Sequence, residues 1–248
     1  IYQMHNVKLT IEYAGTSYSG WQSQKNNKTV QGEIQKAIFK FSGERVVIQG
    51  AGRTDAGVHA IGQCANYIMN KEHTEYQVLN GINFHLGIEK IRISKVEFVH
   101  MEFNARFTAK IKTYHYQVVN RAAPTVIDSE YVLHIREMLD IKNMNKAAKF
   151  LEGKHDFSSF RARDCQANSP VKTLEQVKIK KLKERLFFEF SARSFLHQQI
   201  RIMVGTLLNI GVGKDDPRKI KYLLGEKDRK LAGPTAPAKG LTLIEIKY

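Results

Sequence analysis

One segment of the sequence places a guanidinium and a carboxylate two residues apart among glycines. Residues 50–59 read GAGRTDAGVH, so Arg53 and Asp55 lie in a stretch with three glycines. Glycine lets the backbone turn sharply and lets another segment approach closely. An ionised Asp can act as a nucleophile, and a nearby Arg favours its charged form. The same spacing also fits a tight structural loop with a local Arg–Asp ion pair, and spacing alone does not decide between the two.

Two phosphate-loop motifs that contain glycine were compared with the chain, and neither fits. The dinucleotide-binding fingerprint requires a third glycine where this loop has Asp55. The pair Gly213–Lys214 resembles the end of a Walker A loop. However, Leu208 stands at the required first glycine and Asp215 at the required Ser or Thr. The sequence therefore does not predict a nucleotide cofactor on either motif.

The net charge indicates a polyanionic partner. The 248 residues include 39 Lys and Arg against 24 Asp and Glu, which gives a net charge of +15. Such an excess attracts polyanions, of which nucleic acid is the commonest, although an anionic membrane or an inert basic surface also fits. The basic residues are spread along the chain with no basic tail, which favours a folded basic surface over a disordered arm.

Composition predicts a cytoplasmic globular protein. Hydrophobic residues make up 42% and charged residues 25% of the chain. The apolar runs are shorter than the roughly 20 residues that span a bilayer, and the start shows no apolar core of a signal peptide. The two cysteines, Cys64 and Cys165, form neither a disulfide framework nor a CxxC pair. The histidines show no HExxH ligand pair, so no metal site is predicted.

Hydrophobic periodicity predicts the order β-α-β-β-α-β for the first half. Val7–Tyr13 alternates apolar and polar residues, which is typical of a half-buried strand, and Thr29 can cap a helix with one apolar stripe. The other predicted elements are strands at Arg45–Gln49, Gln63–Ile68 and Ile91–Val99 and a helix at Glu75–Ile82.

The second half repeats that order. Asp216–Pro217 predicts the start of an additional helix, because these residues favour the N-cap and first positions, and Gly225 predicts its end. The other predicted elements are strands at Tyr114–Asn120, Leu174–Leu182, Leu186–Ala192 and Leu241–Lys247 and helices at Asn145–Leu151 and Leu196–Ile210.

Two β-α-β-β-α-β units predict an α+β fold of duplicated ferredoxin-like units with adjoining antiparallel sheets. The boundary is expected near Glu102. Residues 1–102 then form an N-terminal subdomain that carries the glycine-flanked loop, and residues 103–248 form a C-terminal subdomain.

The loop and several other blocks resemble one known family. Residues 51–60, AGRTDAGVHA, resemble the motif of the TruA family of tRNA pseudouridine synthases, whose Asp is the essential nucleophile. The further blocks, which follow the family order, are Tyr18–Gln22 with Gln24, Val30–Gln31, Asn104–Phe107, Tyr114–Tyr116, His155–Arg161, Phe195–Gly205 and Ala232–Leu241. The chain is thus identified as a member of this family, which implies the pseudouridine synthase fold. Only the segment Ala122–Tyr131 departs from the family pattern, so its RNA contacts are not implied.

The resemblance implies roles for four residues. Asp55 matches the catalytic Asp, Arg53 an Arg that intercalates or pairs near the flipped base, and Tyr114 an aromatic residue that stacks on the uracil. Arg201 matches an Arg that pairs with the catalytic carboxylate. Structural alternatives remain open for three of them. Arg53 also fits a loop or phosphate anchor, Tyr114 a core tyrosine, and Arg201 an ion pair with another carboxylate.

The resemblance also implies the reaction and its substrate. Isomerisation of uridine to pseudouridine joins the ribose C1′ to C5 of the same base, so it requires no cofactor and no metal. The carboxylate can begin by adding to C6 or by attacking C1′, and the target base must leave its stack. The implied substrate is the tRNA anticodon stem-loop at uridines 38–40, and the implied assembly is a homodimer. The C-terminal subdomain is implied to complete the active site.

Two other functions are compatible with parts of the sequence. A catalytically silent RNA-binding protein could share the fold, but RNA binding gains nothing from a carboxylate such as Asp55 in the cleft. A paralogue could isomerise a different set of uridines, and the sequence does not separate this alternative from the first reading.

Overall fold

The computed structural model describes residues 4–248, which divide into two compact units. The first unit contains the chain up to Lys110 together with Leu243–Tyr248, and the second contains Ile111–Thr242. The division therefore lies beyond Glu102, and the C-terminal residues belong to the first unit.

The two units together contain five α-helices and ten strands within the described residues. In chain order they are β1 (His5–Tyr13), α1 (Val30–Ser42), β2 (Gln49–Gly50), β3 (His59–Met69), α2 (Glu75–Leu86), β4 (Ile91–Val99), β5 (Ile111–Asn120), β6 (Leu133–Ile135), α3 (Ile141–Lys149), β7 (Gly153–Asp156), β8 (Val171–Leu182), β9 (Arg185–Ala192), α4 (Gln199–Gly211), α5 (Lys219–Glu226) and β10 (Leu241–Lys247).

The first unit is a sheet with the strand order β4-β1-β3, and both β2 and β10 also pair with β3. Strand β1 is antiparallel to β3 and to β4, and its Val7, Leu9 and Ile11 are completely buried. Their alternation with polar residues is the pattern that predicted this strand. Helix α1 begins after Thr29, whose side chain accepts a hydrogen bond from Gly32 N, as the sequence predicted.

The second unit has the strand order β5-β9-β8-β7, with antiparallel neighbours between β5 and β9, β9 and β8, and β8 and β7. The short strand β6 pairs with β5 in parallel. Phe188 and Phe190 of β9 are completely buried, as are Met203, Val204 and Leu207 of α4. The predicted α+β class with mostly antiparallel strands is confirmed.

The predicted strand at Arg45–Gln49 is wrong, because only Gln49–Gly50 forms a strand. Two glutamines of α1 explain the difference. Gln35 Nε2 donates to the Val46 carbonyl at 2.8 Å, and Gln31 Nε2 donates to the Ile48 carbonyl at 2.9 Å. Because side-chain amides bind these carbonyls, this segment needs no neighbouring strand.

Helix boundaries also differ from the predictions. Helix α4 begins at Gln199 and not at Leu196, because Gln198 adopts a left-handed conformation with φ of 58°. Gly225 does not end α5, which continues to Glu226 and stops at the left-handed Lys227. In the described part of the chain, no helix is long and apolar enough to cross a membrane.

Candidate active site

Asp55 lies in the loop between β2 and β3, which comprises residues 51–58 and is called the carboxylate loop below. Asp55 is half-buried, whereas its neighbours differ: Arg53 is exposed and Thr54 is buried. The Val58 N–H donates to the Asp55 carbonyl at 3.1 Å and closes a tight turn. Gly57, with φ of 80°, supplies the left-handed conformation in that turn.

The segment after β1 holds the backbone of the carboxylate loop. The Trp21 N–H donates to the Thr54 carbonyl at 3.1 Å. The preceding residue, Gly20, has φ of 85°, and a Cβ built on it would lie 2.6 Å from the Thr54 carbonyl oxygen. Glycine is therefore required here both by its backbone conformation and by the close approach of the loop.

Three buried side chains bind the loop or the segment beside it. The Tyr13 hydroxyl lies 2.7 Å from Thr54 Oγ1. Gln63 Nε2 donates to the Gly52 carbonyl at 3.0 Å, and His59 Nδ1 accepts from Gly15 N at 3.0 Å. A buried polar network of this kind specifies one arrangement when its members are satisfied. The loop that carries Asp55 is thus preorganised by the chain itself.

Burial raises the pKa of Tyr13 to about 12, and hydrogen bonds to Thr54 and Gln63 offset this only in part. The charged phenolate is disfavoured because the site is shielded from solvent. The Tyr13 hydroxyl therefore keeps its proton at neutral pH and can donate or accept within the network.

Arg53 extends from the loop to the surface. Its Nε donates to Gln22 Oε1 at 3.2 Å, and Gln22 Nε2 donates to Gln31 Oε1 at 3.0 Å. The exposed segment that follows Gln22 also carries Lys25 and Lys28. Arg53 is therefore positioned by a chain of side-chain amides.

Tyr114 lies on β5 and is 8% exposed. Its ring contacts Phe195 edge-on, with centroids 5.4 Å apart and an interplanar angle of 87°. Phe195 is partly exposed in the connection between β9 and α4. The edge-to-face contact is a favoured arrangement for two aromatic rings, and it restricts the orientation of the Tyr114 ring.

Arg201 is half-buried on α4 and bound to the segment before β10. Its Nε donates to the Ala236 carbonyl at 2.8 Å, and the Ala236 N–H donates to the Arg201 carbonyl at 3.0 Å. Nearby, the Gly233 N–H donates to Thr206 Oγ1 at 3.0 Å. These reciprocal bonds hold the guanidinium stem in one direction.

The comparisons with known proteins bear on the family of this chain. The sequence model of the family described as tRNA pseudouridine synthase matches residues 9–108 and 147–248. This chain belongs to that family. The predicted family and the predicted enzyme class, an RNA uridine isomerase, are both confirmed.

Curated relatives extend over nearly the whole chain. The tRNA pseudouridine synthase A of Wolbachia pipientis wMel is 45% identical over 242 residues, which cover 97% of this chain and 99% of the relative. The protein of the same name from Ehrlichia canis (strain Jake) is 46% identical over 242 residues with the same coverage. That from Anaplasma phagocytophilum (strain HZ) is 43% identical over 243 residues.

The likeness to solved structures is weak. The crystal structure of the archaeal box H/ACA sRNP Nop10-Cbf5 complex is 9% identical, with a TM-score of 0.39. The alignment covers 93% of this chain and 60% of that chain. Similarity at this level carries no argument about function.

The four residues predicted from the resemblance fall into two groups. Arg53 and Asp55 share the carboxylate loop of the first unit, whereas Tyr114 and Arg201 belong to the second unit. The family match includes Asp55, Arg53 and Arg201, while Tyr114 lies between the two matched ranges. Among residues 4–248, no cluster of His, Cys, Asp and Glu is arranged to hold a metal ion.

Sequence reasoning missed the residues that hold the loop. Tyr13 reads as an ordinary core position at the end of an alternating strand, and its partner Thr54 is 41 residues away. Gln63 is a polar residue that is completely buried within β3. Its burial marks it as a residue of interest, but burial is known only from the structure. No local pattern in the sequence marks either residue.

Proposed function

We propose that this protein isomerises uridines 38, 39 and 40 of the tRNA anticodon stem-loop, with Asp55 as the nucleophile. Family membership supplies the reaction class. The observation that supports the assignment of Asp55 is the buried hydrogen-bond network that holds the Gly52 carbonyl and the Thr54 side chain, in the stretch of loop directly before Asp55. Preorganisation of this kind lowers the cost of reaching the reactive geometry.

The proposed reaction begins with the ionised Asp55 carboxylate. It adds to C6 of the uracil or attacks C1′ of the ribose, and the bond between N1 and C1′ then breaks. The base rotates and C5 forms a bond with C1′. In the C1′ route this step displaces the Asp55 carboxylate from the sugar, and in the C6 route the bond between Asp55 and C6 breaks afterwards by elimination. C5 then loses its proton and N1 gains one. Atoms and electrons balance within the nucleotide, so no oxidant or reductant takes part. Because a stacked base hides C6 and C1′, the uridine must first leave the helix.

The other three residues are proposed to hold the extruded nucleotide. Arg53 is exposed in the carboxylate loop, which suits it to fill the space that the base leaves or to bind a phosphate. Tyr114 offers an aromatic ring to the uracil. Arg201 is proposed to pair with the Asp55 carboxylate. Its Nε donates to the Ala236 carbonyl, which fixes the direction of the guanidinium.

The assembly and location are part of the same proposal. The first unit is proposed to carry the catalytic loop, and residues of the second unit are proposed to complete the active site. The net charge of +15 suits a phosphate-lined substrate such as tRNA. The protein is proposed to work in the cytoplasm and to form a homodimer. Sedimentation in solution tests the homodimer directly.

Tritium release from tRNA labelled at C5 of uridine tests the catalytic assignment, because the C5 proton leaves during the reaction. Asp55→Asn and Asp55→Ala are expected to abolish release while tRNA affinity stays within a few fold, since affinity comes mainly from phosphate contacts. Turnover by either variant would show that Asp55 is not the nucleophile. No release by the wild type would support the silent RNA-binding protein instead.

The position of modification requires a second experiment. Pseudouridine is mapped in tRNA from cells with and without the gene. Loss of modification at 38, 39 and 40 is expected, and loss at other uridines would support the paralogue with a different set of targets.

A further inference from the structure

We infer that Tyr13 is a positioning residue for the reaction, whose hydroxyl fixes the carboxylate loop through the side chain of Thr54. The inference rests on the proposed role of Asp55, which directly follows Thr54 in the chain. Tyr13 is not expected to touch the substrate, because it is 3% exposed at the end of β1.

The contact between the two side chains is short and shielded. The Tyr13 hydroxyl and Thr54 Oγ1 are 2.7 Å apart, and Thr54 is 7% exposed. Hydrogen bonds of this length between hydroxyls are well formed. Since little water reaches the pair, loss of either hydroxyl removes a hydrogen bond that water does not replace, which is costly in the interior.

The bond acts together with a backbone contact on the same residue. The Trp21 N–H holds the Thr54 carbonyl, while Tyr13 holds the Thr54 side chain. Threonine has few side-chain rotamers because of its branched Cβ, and the bond to Tyr13 selects one. With its carbonyl and its side chain both held, Thr54 sets the direction in which the chain enters Asp55.

Gln63 extends the same network to the start of the loop. It donates to the Gly52 carbonyl at 3.0 Å, and its own oxygen accepts from Cys64 N at 3.1 Å. The Gln63 side chain also forms a hydrogen bond with the Tyr13 hydroxyl, which offsets part of the rise in the Tyr13 pKa that burial causes. The network therefore holds positions on both sides of Arg53, immediately before Asp55. Phenylalanine at position 13 and valine at position 54 would fill nearly the same volume but could not form the hydrogen bond between these two side chains.

A purely structural role would lower stability without changing the chemical step, so the variants must separate the two. Tyr13→Phe and Thr54→Val remove one hydroxyl each, whereas Thr54→Ser keeps it. Tyr18→Phe is the matched control. The Tyr18 hydroxyl is also buried and hydrogen-bonded, donating to Glu89 at 2.6 Å and accepting from Lys90 N at 3.0 Å, but neither partner lies in the carboxylate loop.

A second control removes a hydroxyl that has no role in bonding. The Tyr67 hydroxyl is buried and lacks a hydrogen-bond partner among residues 4–248. Tyr67→Phe is therefore expected to leave rate and affinity unchanged and not to lower stability, because it removes an unsatisfied buried hydroxyl.

The experiment measures the single-turnover rate at saturating tRNA, the tRNA Kd and the denaturant midpoint for every variant. Tyr13→Phe and Thr54→Val are each expected to reduce the rate about 10-fold, since small displacements of a reacting group are costly. Their Kd is expected to stay within about 2-fold of wild type, because phosphate contacts dominate affinity. The double variant Tyr13→Phe/Thr54→Val is expected to be no slower than either single variant, because each single substitution already breaks the same hydrogen bond.

Rescue distinguishes positioning from packing. Thr54→Ser is expected to retain a rate within about 2-fold of wild type, because it keeps the hydroxyl that Tyr13 binds. Tyr18→Phe is expected to lower the denaturant midpoint without slowing the reaction. If Tyr13→Phe does not fold, the comparison of Thr54→Val with Thr54→Ser still decides the question.

A wild-type rate in folded Tyr13→Phe or Thr54→Val would overturn the inference, and so would equal slowing by Thr54→Ser and Thr54→Val. These outcomes differ from failure of the proposed function. Turnover by Asp55→Asn overturns the assignment of Asp55 itself. An inactive Asp55→Asn beside a fully active Tyr13→Phe overturns only the role of Tyr13.

Discussion

Replacing Gly20 with alanine is predicted to displace the carboxylate loop and to slow the chemical step. A Cβ at Gly20 would lie 2.6 Å from the Thr54 carbonyl oxygen, whereas ordinary contact begins at 3.4 Å. Because protein interiors are close-packed, the two segments would have to separate by about 0.8 Å. Thr54 directly precedes Asp55, so the carboxylate is expected to move with it.

Two costs can be worked from this geometry. Alanine in the left-handed conformation of Gly20 costs about 1–2 kcal/mol, and forcing apart the packed segments adds about 1 kcal/mol. The total destabilisation is therefore about 2–3 kcal/mol. A misplacement of about 1 Å at a reacting group lowers the rate about 100-fold, so a shift of nearly this size is expected to slow turnover about 50-fold.

Gly213→Ala is the matched control for Gly20→Ala. Gly213 has φ of 77°, and no atom of the described residues lies within 4 Å of a Cβ built there. It carries the same left-handed cost without the steric contact. Urea denaturation and single-turnover tritium release are measured for both variants. A normal rate in Gly20→Ala, despite the expected loss of stability, would refute the idea that Gly20 sets the position of Asp55.

Three further outcomes are expected. Tyr114→Ala is predicted to lower kcat at least 10-fold and Tyr114→Phe only a few fold, because stacking on the uracil needs the aromatic ring and not the hydroxyl. Equal effects of the two substitutions in steady-state assays would count against stacking. Hydrogen bonds from Ser158 and the Lys227 ion pair outweigh burial and lower the pKa of Asp156. Its stabilising contribution is therefore present at neutral pH and lost as the pH falls through the folded-state pKa. The urea midpoints of Asp156→Asn and wild type should then converge in acid. Finally, tRNA Kd in filter binding should rise steeply between low and moderate salt, and a flat dependence would contradict phosphate-dominated binding.

The sequence by itself determined the features that depend on short stretches of chain. Ile91–Val99 and Leu241–Lys247 were predicted with the bounds that the structure has, because alternation of apolar residues is a local signal. The cap at Thr29 was predicted for the same reason, since the capping bond joins residues three apart. The carboxylate loop and its Asp55 were likewise visible as a compact run of glycine and charged residues.

Tertiary structure alone decided what depends on distant partners. Residues 45–48 are strand-like in composition, yet two of their carbonyls, those of Val46 and Ile48, accept hydrogen bonds from glutamines of α1. These residues therefore do not join the sheet. The partner of Thr54 lies 41 residues earlier in the chain, and the carbonyl that binds Arg201 lies 35 residues later. A hydrogen bond across such a separation leaves no periodic trace, because it depends on how the elements pack and not on their own residues.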